Sequence, residues 1–210
     1  MLSVALAATH SYDTGTKQLT FNMKKGWNLL PVGIEGPPVF ADNTSMGAVF
    51  IWIPVSGKYA GGIVKDGSVV SNDDYSQQIE AMKDYAPFSM WVYLKRDVSF
   101  TSYAITNQKV LTGEGAPTRL AKGWNFVAIW PFMVGLDVQD LFANCTITKA
   151  NMWNAETQGW QQPSSTQAAQ NMSSQVRESD VGETMLVYAA SACELSLVEK
   201  EAMTPPALPE

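Results

Sequence analysis

Apolar and polar residues alternate from position 19, with Leu19, Phe21 and Met23 set against Thr20 and Asn22. That period of two is the pattern of a strand with one buried face. A compact apolar run at 27–32 follows, so the pattern predicts a strand that continues into Lys25-Gly26-Trp27-Asn28, with a bend or bulge at Gly26. Residues 49–55, rich in β-branched and aromatic side chains, predict a second strand that turns at Ser56-Gly57 toward Tyr59. Asp66-Gly67 lies centrally in 63–70 and is the strongest short-range hairpin signal in the chain. A further strand is predicted at 88–94. Helical spacing is weak by comparison: Ile79, Met82 and Tyr85 within 71–85, and a short turn at 137–142 that Asp137 can cap. The Ser/Gln-rich stretch 163–176 reads as helix or loop.

Most of these elements occur twice. Lys122-Gly123-Trp124-Asn125 repeats the first signature, and an apolar run ending at Pro131 follows it as one ending at Pro31 follows the first. Trp52 and Tyr59 correspond to Trp153 and Trp160, with Gly57 and Gly159 lying between the paired aromatics. Met90-Trp91-Val92-Tyr93 corresponds to Met185-Leu186-Val187-Tyr188, and Val98-Ser99-Phe100 to Leu195-Ser196-Leu197. Spacing between copies varies from block to block, which puts the insertions in loops and makes the blocks the scaffold. The expected fold class is mainly β: two duplicated small antiparallel sandwich or barrel-like modules with short helices in the connections. The expected boundaries are an N-terminal arm or docking strand at 1–18, modules at 19–106 and 118–198, a linker at 107–117 containing Gly113-Glu114-Gly115-Ala116-Pro117, and a tail at 199–210.

A Gly-Trp-Asn strand, an aromatic-to-aromatic hairpin with a glycine between, and a closing aromatic-Val-Tyr strand together resemble small β modules of secreted and surface-attached prokaryotic proteins. The likeness covers most of 24–100 and 122–197. It implies an extracellular β module and no reaction. The chain differs from the pattern at Tyr59, where a tryptophan is more usual, and at Met185-Leu186, where an aromatic is.

Composition narrows the function classes. Charged residues are only 16% of the 210, and Ser, Thr, Asn and Gln fill the deficit, as secreted proteins and assembled shells tolerate. A net charge of −6 with no basic cluster argues against nucleic acid and against an anionic membrane surface as partner. No apolar stretch is long enough to span a membrane. Residues 1–8 are small and apolar, reading either as the end of a signal peptide or as an ordered strand docked on this chain or a neighbour.

Chemistry is sparse. The chain has one histidine, His10, and lacks nucleophile-elbow and phosphate-loop motifs. Asp73-Asp74 and the pair Asp180 and Glu183 read as solvated turns, so no catalytic residue, metal ligand or cofactor is expected. Ser71-Asn72-Asp73-Asp74 lacks the frame and distal glutamate of a calcium loop. Cys145 and Cys193, the only cysteines, are placed for a disulfide within the second module, with two buried thiols as the alternative. Trp27 and Trp124 are expected in the cores. Binding candidates are Trp52, Tyr59, Trp153 and Trp160, with Trp130 as a further interfacial aromatic. Two readings follow: a structural subunit of an extracellular or cell-surface assembly, homo-oligomeric or polymeric through strands and apolar edges, or a module that binds a glycan through its hairpin aromatics.

Overall fold

The computed structural model describes residues 10–31, 44–65, 68–71, 89–104, 119–161 and 175–196. The fold is mainly β. Its first half contains β1 (His10–Asp13), β2 (Gln18–Met23), β3 (Gly26–Pro31), β4 (Met46–Ile53), β5 (Lys58–Lys65), β6 (Ser68–Ser71), β7 (Ser89–Leu94) and β8 (Val98–Tyr103). The second half contains β9 (Arg119–Leu120), β10 (Gly123–Ala128), β11 (Ile147–Asn154), β12 (Gly159–Gln161), β13 (Thr184–Ala189) and β14 (Cys193–Glu194). Among the described residues the α-helix is one short turn, α1 (Val138–Leu141), which follows Asp137, although the Asp137 side chain makes no capping bond.

Among the described residues every strand pairing is antiparallel, and each half builds one large and one small sheet. The large sheets run β3-β7-β4-β5-β6 and β10-β13-β11-β12; the small ones run β1-β2-β8 and β14-β9. Registers correspond as well: Trp27 opposes Tyr93 as Trp124 opposes Tyr188, and Met23 opposes Val98 as Leu120 opposes Cys193. Alternation puts Leu19, Phe21, Met23 and Phe100 of the small sheet against Leu30, Val49, Val92 and Leu94 of the large one. This packing is continuous with the buried side chains of the second half in one large cluster, beside a smaller one of Ile51, Ile53 and Ala60.

The duplicated signature is a corner between sheets. The expectation of a strand running on through it is corrected, because the chain leaves β2 in one sheet and enters β3 in another. Gly26 and Gly123 make the bend at φ 105° and 104°, where a side chain would be strained. The asparagines hold it closed. Asn28 Oδ1 accepts the Lys24 N–H at 3.0 Å, and its Nδ2 donates to the Lys24 and Gly26 carbonyls at 2.7 and 3.1 Å. Asn125 does the same to Ala121 N–H and to the Ala121 and Gly123 carbonyls, at 2.9, 2.8 and 2.9 Å. Both asparagines are buried, whereas Trp27 and Trp124 are half-buried. The placement of those tryptophans in the cores is therefore corrected: an amide that satisfies three backbone groups takes the interior position.

β5 and β6 pair around the expected turn, with Val64 opposite Val69 and Lys65 opposite Ser68, while Asp66-Gly67 themselves lie outside the described residues. Residues 10–13 of the arm pair with β2 of the same chain, so this strand belongs to the small sheet. Gln175 and Val176 are bridged to Leu136 and Asp137 as extended chain. The helical expectation at 71–85, the linker at 107–117, the tail and residues 1–9 lie outside the described residues, except for Ser71 in β6. Cys145 and Cys193 form a disulfide with a Cα separation of 5.3 Å, tying β14 to the turn that follows α1.

Candidate functional site

The large sheets each have two faces, and the aromatic residues gather on the outer one. In β4, Val49, Ile51 and Ile53 point inward, which sends Phe50 and Trp52 to the opposite face; across the ladder they meet Trp91 and Tyr59. Trp27 and Tyr93 share that face through their own pairing.

The two halves pack here, and they do so reciprocally. Trp52 Nε1 donates to the Trp124 carbonyl at 2.7 Å, while Trp153 Nε1 donates to the Trp27 carbonyl at 3.1 Å. Each hairpin tryptophan thus bonds the signature tryptophan of the other half, as an approximate two-fold axis would produce. One position breaks the exchange. Gly57 occupies the positive-φ site of its hairpin turn at 63°, but the matching site is held by Gln158 at φ 50°, not by Gly159. Gln158 uses its side chain: Oε1 accepts the Trp27 N–H at 2.7 Å and Nε2 donates to the Trp27 carbonyl at 2.9 Å, so one amide completes the open edge of β3.

Beside this contact a cleft of about 440 Å³ opens, lined by Trp27, Phe50, Tyr59 and Trp91 from the first half and Trp153 and Trp160 from the second. Trp91 is its floor. Its ring lies 4.8 Å from Trp153 at 84° and 5.6 Å from Trp160 at 87°, and Trp153 meets Trp160 at 5.3 Å and 74°. These edge-to-face arrangements are the preferred ones for aromatic rings, so the cleft walls are mutually braced. Tyr59 and Trp160 remain 46% and 44% exposed, one on each lip. Burial raises the Tyr59 pKa above the ordinary phenol value, partly offset by its side-chain hydrogen bond with Trp91.

The binding candidates therefore divide. Tyr59, Trp153 and Trp160 come together in the cleft; Trp52 meets Tyr59 edge-to-face at 4.9 Å, with its N–H committed to Trp124. Trp130 does not join them. It is wholly buried, its Nε1 without a partner among the described residues, which corrects its assignment as a surface aromatic. Sequence reasoning missed Trp27, Phe50 and Trp91 as lining residues. The signal was present in the aromatic spacings Phe50/Trp52 and Trp91/Tyr93, each of period two, which put four rings on one sheet face.

A second cavity, of about 50 Å³, is lined by His10, Phe21, Leu30, Trp153 and Glu183 among others. His10 Nε2 lies 3.2 Å from the Ser179 carbonyl, and burial lowers its pKa despite that bond and the nearby Asp180. Burial, reinforced by Asp180, raises Glu183 to about 7. The space suits a water molecule rather than a substrate. Among the described residues, no three His, Cys, Asp or Glu side chains gather as a metal site needs, and no described helix is long and apolar enough to cross a membrane.

Comparison with protein-family models, with curated proteins and with solved structures returns no match.

Proposed function

We propose that this chain is a non-enzymatic extracellular assembly protein whose aromatic cleft is the docking point for a neighbour. The observation that carries the reading is the pair Tyr59 and Trp160, large rings left exposed on opposite lips of a cleft built from both halves. A wide aromatic surface whose one titratable lining side chain among the described residues is the Tyr59 phenol, its pKa raised by burial, is better suited to holding a partner than to moving a proton. The apolar surface also extends beyond the cleft. Ile63 and Val70, directly opposed across β5 and β6 on the same face as Tyr59, are 65% and 59% exposed, next to β6, the edge strand of that sheet among the described residues. Such an edge is a template for association. The disulfide supports a location outside the reducing cytoplasm.

Sedimentation velocity over a wide concentration range tests the reading. The unmodified chain should increase in mass with concentration, and Tyr59→Ala/Trp160→Ala should remain monomeric with an unchanged circular dichroism spectrum. Equal association of both proteins would count against the cleft.

The second reading, a glycan-binding module, is favoured by the same exposed rings, since a sugar's C–H face stacks on aromatics. Its weakness is the scarcity of polar groups to read hydroxyls. A glycan array that lights up with the native chain and goes dark with Trp160→Ala would establish it in place of the first.

A further inference from the structure

We propose that the aromatic cleft is a cage for a small organic cation whose charge is carried by a quaternary ammonium group. The cage goes beyond the docking reading and does not rest on it; a ligand in the cleft and a neighbour at its lips would compete for the same rings.

The rings are arranged as walls. Trp91, Trp153 and Trp160 lie at 84°, 87° and 74° to one another, with centroids 4.8, 5.6 and 5.3 Å apart, so their planes are those of a box corner. Trp27 meets Trp91 at 85° and continues the walls on the side of the first half. A flat ligand needs one broad platform, whereas a tetrahedral trimethylammonium group points its methyls in several directions and can touch several ring faces at once. Those faces are electron-rich. Each is the negative side of the ring quadrupole, and a cation within about 6 Å of the centroid is attracted to it.

Hydrogen bonding selects among cations. Primary ammonium and guanidinium groups carry N–H donors, and a donor taken out of water without an acceptor is costly. The described lining offers them almost nothing: of its six aromatic side chains only Tyr59 has an oxygen, and that oxygen already takes a bond from Trp91. The Trp153 N–H is committed too, to the Trp27 carbonyl. A quaternary nitrogen has no N–H to satisfy, so it is the cation that this surface penalises least. Charge and size agree with it. No Lys or Arg is among the described lining residues, and a net charge of −6 favours the approach of a cation. At about 440 Å³ the cleft falls within the range of about 300–1,000 Å³ common for small-molecule sites.

Titration calorimetry on the dilute native chain tests the cage with three probes: choline, its neutral isostere 3,3-dimethylbutan-1-ol, and ethanolamine. Choline should bind at least about tenfold more tightly than either of the others, because only it combines the charge with the absence of N–H donors. Trp160→Ala and Tyr59→Leu, each with an unchanged circular dichroism spectrum, should weaken choline by about tenfold through loss of one ring face. Equal binding of the neutral isostere would reduce the cleft to an apolar surface and overturn the cage. So would equal binding of ethanolamine, no binding of choline, or choline binding that survives both substitutions. Sedimentation velocity at saturating choline separates this from docking. Choline that binds without reducing association keeps the cage and removes the docking point, whereas cleft-dependent association with no choline binding does the reverse.

Discussion

Ser89 and Thr184, which hold corresponding positions in the two halves, share a buried 2.6 Å hydrogen bond between their hydroxyls. A residue that touches its own counterpart sits where an exchange axis would pass, and the reciprocal tryptophan bonds lie on either side of it. The cleft follows from this arrangement, because its two lips are corresponding residues, Tyr59 and Trp160, carried together by the two hairpins.

The reciprocal bonds should differ in weight. Trp52→Phe leaves the Trp124 carbonyl without its indole donor, and we expect a loss of about 1–2 kcal/mol. Trp153→Phe should cost about half as much, because the Trp27 carbonyl keeps its bond from Gln158. Urea unfolding of the two variants measures this; the opposite order would count against the role given to Gln158.

The corner asparagines should matter more than the tryptophans they precede in importance by burial. Asn125→Ala leaves three backbone groups of a buried corner unsatisfied and is expected to cost roughly 3 kcal/mol. Asn28→Ala should cost somewhat less, since its bonds are only partly buried. Thermal unfolding checks the order.

Much of this was legible in the sequence, and the limits have physical causes. Strand periodicity depends on local patterns and has its counterpart in the sheets, whereas the expected match of Val98 to Leu195 is corrected, because Val98 opposes Met23 in the register in which Cys193 opposes Leu120. The sheet change at Lys24-Lys25 did not show, because an apolar run reads the same whether a strand continues or turns a corner. Trp27 and Trp130 were misplaced for a related reason. Each lies in or beside an apolar run, and which ring faces the other half depends on register across strands far apart in sequence. The sequence assigns no position to Asn28 and Asn125, since nothing local reveals that an amide is meeting three backbone groups of a corner.

The His10 and Glu183 pair predicts a pH profile. Glu183 titrates near 7 in the fold against an ordinary 4.5, so the native state holds its proton more tightly. Its contribution is complete below about 4.5 and is lost as pH rises through about 7. His10 has the opposite sign: its lowered pKa favours the neutral fold, a contribution present above 6.5 and lost as pH falls below that value. Glu183→Gln should therefore remove the decline in melting temperature between pH 5 and 8 while leaving the acid limb. A decline that persists in Glu183→Gln would assign it elsewhere.

Removing the Cys145–Cys193 bond by double substitution to serine should destabilise the chain by up to about 4 kcal/mol, given the 48-residue separation. Hydrogen exchange should show the loss first in β14 and β9, which depend on the staple to hold their short pairing. Unchanged protection there would mean that packing of Leu120 and Leu195 alone secures the small sheet.

The central claim, that the cleft receives a neighbouring copy, is tested most directly by photo-crosslinking from within it. With p-benzoylphenylalanine in place of Tyr59, irradiation of the concentrated protein followed by mass spectrometry should yield a covalent dimer whose crosslink joins position 59 to a second chain. Crosslinks confined to the same chain, with no dimer at any concentration, would contradict it.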